Sequence, residues 1–127
     1  EILLHVGVED EDLLTELSFW LQAEAPRADE RVEGPTGHLL PLTGEIGAEA
    51  WGGFKLPAAT IWAGVANYLD VDAFVAEIER VAWRRSEAVQ VFIRDDGDPW
   101  FRLYMIRNGV ARQYAPPPAE REQDRPW

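Results

Sequence analysis

The residue types able to do chemistry are few and badly placed for it. His5 and His38 are the two histidines of the 127-residue chain, and cysteine is absent. A base or a metal would therefore have to rest on those imidazoles with carboxylates such as Asp95, Asp96 or Asp98, yet no ligand spacing joins them. Asp95-Asp96-Gly97-Asp98 has the start of a calcium loop without its later Glu or its flanking helices, and reads as a hairpin turn. Serine occurs at 18 and 86, both inside helix-type sequence and without the Gly-x-Ser-x-Gly elbow that exposes a nucleophile. Gly7 stands alone after the first apolar run, so no dinucleotide turn forms. The stretch TGEIGAEAWGGFKLP lacks the Gly-Lys-Ser/Thr ending of a phosphate loop. These residues point to no cofactor and no metal, with an enzyme built on His5 and His38 kept as an alternative.

The elements that position these residues follow from periodicity. Ile2 to Val8 alternates as a buried strand. Glu9-Asp10-Glu11-Asp12 opens a helix to about Ala25, where Pro26 ends it, and acids in the first turn complement the dipole and supply a cap. Leu13, Leu14, Leu17, Trp20 and Leu21 form its apolar stripe, with Phe19 nearly opposite. His38 to Leu42 is expected as a short strand. Thr43 to Pro57 is a long loop clamped by Trp51 and Phe54. Thr60 to Leu69 is a strand in which Gly64 marks a bulge or a close approach. Asp70 caps a helix expected to run to about Arg85.

Three strands then follow, Val89 to Arg94, Trp100 to Arg107 and Val110 to Tyr114, the last two joined by Asn108-Gly109, a type I′ signal. Aliphatic matching sets Ile93 against Phe101, Val91 against Leu103 and Val89 against Met105, as one core face. The other face then carries Gln90, Phe92, Arg94, Trp100, Arg102 and Tyr104, expected to be covered by the long loop or to serve as a contact surface. The order β-α-β-(loop)-β-α-β-β-β predicts an α+β fold. Its sheet is mixed and largely antiparallel, with two helices packed on one face, a ferredoxin-like core plus a C-terminal β-meander. A single domain is expected over 1–115, followed by an extended Pro-rich tail over 116–127 that something pins. Because Glu1 falls inside an expected strand, the native start is expected upstream.

Net charge is −11, and residues 1–50 hold 12 acidic residues against Arg27 and Arg31. That field repels nucleic-acid backbones and anionic membranes and speeds encounter with basic partners. No apolar run is long enough for a membrane span and no leader is visible, so a cytoplasmic location is expected. Basic residues are 11 Arg and one Lys, the coding bias of a GC-rich genome.

Carboxylates cluster beside an aromatic in two places. One is the first helix, with Glu9, Asp10, Glu11, Asp12, Glu16 and Phe19. The other is the hairpin tip, with Asp95, Asp96, Asp98 and Trp100. A partner-binding surface is expected there, because charge gives fast encounter and a desolvated aromatic gives slow release. The acidic helix EDEDLLTELSFW, the WGGFKLP loop and the DDGDPW hairpin together resemble the immunity proteins of bacterial polymorphic toxin systems. That resemblance implies a stoichiometric inhibitor of a cognate basic toxin or effector domain. A small-ligand-binding protein and a DNA mimic are the other readings.

Overall fold

A computed structural model describes residues 1–43, 48–53 and 55–116. Among these residues six strands form one sheet: β1 (Ile2–Gly7), β2 (Gly37–Pro41), β3 (Ala59–Ala66), β4 (Gln90–Ile93), β5 (Arg102–Arg107) and β6 (Val110–Ala115). Two helices accompany them, α1 (Glu11–Ala23) and α2 (Val71–Arg80). The strand order is β2-β3-β1-β4-β5-β6, and each neighbouring pair is antiparallel. The order β2-β3-β1-β4, with α1 and α2 as crossovers, is the ferredoxin-like core, and β5–β6 extend it as a meander.

Alternation on β1 sends Ile2, Leu4 and Val6 inward, where they meet Leu14, Leu17 and Leu21 of α1 and Phe74 and Ile78 of α2. Both helices therefore lie on one face of the sheet. α1 sits over β2 and β3, and α2 reaches β6. Across their contact, the rings of Trp20 and Phe74 stand 6.2 Å apart.

Asp70 caps α2 as expected, its carboxylate accepting from the Ala73 amide at 3.1 Å. The helix ends at Arg80 rather than Arg85, because Val81 is already extended (φ −62, ψ 138). The Trp83 indole then donates to the Ile78 carbonyl at 2.8 Å, which satisfies one carbonyl of the last turn. At the start of α1 the expected cap is also different. Glu9 and Asp10 fall in a 3-10 turn, Val8–Asp10, and the Asp10 side chain makes no capping bond to α1.

The first hairpin of the meander is shifted by one residue from the expected register. Val91 pairs with Tyr104, Phe92 with Leu103 and Ile93 with Arg102. Val89, Val91 and Ile93 are buried as expected, but their companions are Tyr104 and Ile106, not Phe101, Leu103 and Met105. Both faces of β5 carry large apolar side chains, so aliphatic matching alone could not choose. The turn chooses instead, because Asp98 holds Arg102 on its own side. Asn108 (φ 55) and Gly109 (φ 75) form the expected tight turn, pairing Arg107 with Val110 and Met105 with Arg112. A bulge then sets Leu103 opposite Ala115.

Gly64 marks a close approach. A side chain there would collide with the His38 carbonyl of the neighbouring strand. No helix of the described residues is long and apolar enough to cross a membrane.

Candidate functional site

The acidic start of α1 is assembled by the segment that leaves α2. Asp10 is fully buried, and its two oxygens accept from the backbone amides of Arg84 and Arg85, each at 2.9 Å. The Arg84 guanidinium grips Asp12 with two bonds, 2.8 and 3.1 Å, and also donates to the Glu9 carbonyl at 2.8 Å. Hydrogen bonding to Arg84 holds the Asp12 carboxyl below the usual carboxylate range. Asp10 thus locks α1 to the end of α2 and offers nothing to a partner. Glu11 and Glu16 remain exposed without an ion pair among the described residues. Phe19 is 66% exposed and lies one helical turn beyond Glu16 on the same side of α1.

The hairpin tip carries its carboxylates differently. Asp98 is buried and accepts from Arg102 Nε at 3.0 Å and from the Asp95 amide at 3.2 Å. Asp95 takes a second Arg102 bond at 2.8 Å, and Arg94 donates to the Asp98 carbonyl at 3.1 Å. Burial pushes the Arg102 pKa down, but hydrogen bonds with Tyr104 and Asp98 outweigh it, and the net shift is upward. The tip is a closed arginine–aspartate knot with Asp96 exposed and Trp100 half-buried. The Asp95–Asp98 segment is therefore the expected turn, though Asp98 is packed within it and not solvated.

The two acidic places do not come together. α1 begins beyond Gly7, at one end of β1, whereas the hairpin tip follows Arg94, which bonds to Glu1 at the other end. The six residues of β1 separate them by roughly 20 Å.

The histidines are equally separate. His5 pairs with Ile61 on β3, and His38 pairs with Val65 of the same strand. Two strand spacings and four residues along β3 put them roughly 16 Å apart, too far to share one ion. Among the described residues no group of His, Cys, Asp and Glu is arranged to hold a metal. Ser18 is a structural clip: its hydroxyl donates to the Leu39 carbonyl at 3.2 Å and accepts from the Leu39 amide at 2.8 Å, fastening β2 to α1.

Periodicity gave no sign of a groove of about 200 Å³ between α1 and α2, lined by Leu13, Glu16, Leu17, Trp20, Glu77, Val81 and Ala82. Leu13 and Trp20 form the edge of the α1 stripe turned toward α2, but the groove needs the second helix beside the first.

The sheet face away from the helices carries Leu40, Ala63, Leu3, Phe92 and Leu103 in one row across five strands. Arg102 and Tyr104, expected there, lie on the helix side instead. Of the loop expected to cover this face, Trp51 is exposed, while Phe54 lies outside the described residues. So does the tail beyond Pro116, which is itself buried and accepts at its carbonyl from the Gln113 side chain at 2.7 Å. Compared with known proteins, the chain matches no family model, no curated sequence and no solved structure.

Proposed function

We propose that this chain is a non-catalytic, acidic protein-binding module. In this reading it occludes a basic partner protein, as an immunity-type inhibitor occludes a cognate toxin in the bacterial cytoplasm. The observation that carries the reading is the outer side of α1. There an aromatic ring 66% exposed adjoins Glu16, with Glu11 further along, and no arginine neutralises these two carboxylates within the described residues. An exposed phenyl ring beside unpaired charge combines an anchor with electrostatic steering. The hairpin tip fits this role less well, because Arg102 already occupies the carboxylates of both Asp95 and Asp98.

The test is direct binding to a basic domain encoded beside this chain, together with rescue of cells that express that domain. Phe19→Ala and Glu16→Lys are each expected to weaken binding and rescue while the melting temperature holds. The His5→Gln/His38→Gln double variant is expected to rescue as the parent does. Loss of rescue by that double variant, with folding intact, revives the enzyme reading. Displacement of DNA from the partner by this chain favours the DNA-mimic reading.

A further inference from the structure

We propose that the groove between α1 and α2 seats an arginine side chain of the basic partner, which rests on the reading of this chain as a protein-binding module. At about 200 Å³ the groove falls below the ~300–1,000 Å³ of sites that enclose drug-sized ligands, and matches a single long side chain. Its walls are apolar, formed by Leu13, Leu17 and Val81, with the Trp20 ring beside them. One carboxylate comes from each helix, Glu16 from α1 and Glu77 from α2.

Glu77 supplies the specific observation. Its Oε2 is shielded from solvent and receives no hydrogen bond. Arg80 NH1 stands 3.3 Å away without the alignment of a bond, on a side chain 73% exposed. A buried carboxylate oxygen that accepts no hydrogen bond still has acceptor capacity, and its cation Arg80, paired with it on a largely exposed side chain, is one that a better-aligned guanidinium can displace. A long cationic side chain answers both features, its methylenes lying along the leucines and its head reaching the carboxylates. Guanidinium fits better than ammonium, since a planar group can donate to Glu77 and Glu16 while stacking on Trp20, and it sheds water more readily. Glu16 borders both this groove and the Phe19 surface, so one partner can cover both.

The experiment is an NMR titration of the labelled full chain with a capped arginine and with capped citrulline, its uncharged isostere. Arginine is expected to shift the Trp20 indole and the Leu13 and Leu17 methyl signals saturably, and citrulline to leave them in place. Glu77→Gln, which keeps the shape and removes the charge, is expected to weaken the arginine site about tenfold, the loss of one charge-assisted hydrogen bond. Equal shifts from citrulline, or arginine shifts that map to the Asp95–Asp98 tip, overturn the proposal. If Phe19→Ala still weakens the partner while arginine avoids the groove, the groove falls and the binding module stands. If arginine seats in the groove but Phe19→Ala leaves the partner's affinity untouched, the groove stands and the proposed surface falls.

Discussion

Asp10 shows what a residue type can and cannot reveal. Four consecutive acids before an apolar stripe announce a helix start, and α1 begins among them. That one of the four is buried depends on Arg84 and Arg85, whose amides lie 74 and 75 residues away in sequence, a distance no local pattern spans. Asp10→Ala leaves two amides without their acceptor and the Arg84 side chain short of a partner. It is expected to lower stability by about 3 kcal/mol in urea unfolding, whereas Glu11→Ala should change it by less than about 0.5 kcal/mol.

Three carboxylates, Asp12 and Glu87 exposed and Asp29 half-buried, set the direction of the pH response. Asp12 is held low by Arg84 and Asp29 by Arg31, and Glu87 is held low first by its own backbone amide and then by Arg85. A carboxyl whose folded pKa is depressed contributes stability above its unfolded pKa and loses it as pH falls through the folded value. Thermal stability is therefore expected to drop on the acid side of the ordinary carboxylate range. A melting series in low-salt buffers checks this, and added salt should shrink the effect, since these pairs are exposed.

Among the elements, existence was legible and register was not. Each expected strand of the meander is present, and Asn108-Gly109 dictated its turn through two positive φ angles. The slip of one residue in the first hairpin arose because β5 reads as apolar on both sides, Leu103 and Met105 on one and Tyr104 and Ile106 on the other. The deciding contact is polar, between Asp98 and Arg102, and aliphatic matching does not see it. Truncation distinguishes the two registers. Ile106→Ala is expected to cost about 3 kcal/mol, and Met105→Ala, on the open face, about 1 kcal/mol. The reverse order would restore the expected register.

Gly64 belongs to the same scale. The sequence pointed to a bulge or a close approach, and the His38 carbonyl makes it the latter. Gly64→Ala should force β2 away from β3 at a cost of about 1–3 kcal/mol, visible as faster exchange of the β2 amides from Gly37 to Leu40. Premature ending of α2 was hidden for the reason that hid Asp10: the residues after Arg80 are claimed by α1.

At the scale of the molecule, the charge of −11 was plain from composition, but its distribution was not. Folding neutralises the carboxylates that lie against arginines, at Asp10, Asp12, Asp95 and Asp98, and leaves Glu11, Glu16 and Phe19 facing outward on α1. Of the expected contact residues, Asp10 and Asp98 are thus buried within the fold, and Asp12 and Asp95 stay at the surface but are held by Arg84 and Arg102; the groove beside Trp20 is the proposed addition to what remains. The central claim is that the outer side of α1 binds a basic protein, and titration calorimetry with a basic domain encoded beside this chain tests it most directly. Wild-type association is expected to weaken as salt rises, and Phe19→Ala to weaken it by roughly 30-fold, about 2 kcal/mol for an anchor residue, with an unchanged melting temperature. Binding of undiminished affinity by both Phe19→Ala and Glu16→Lys would contradict the account.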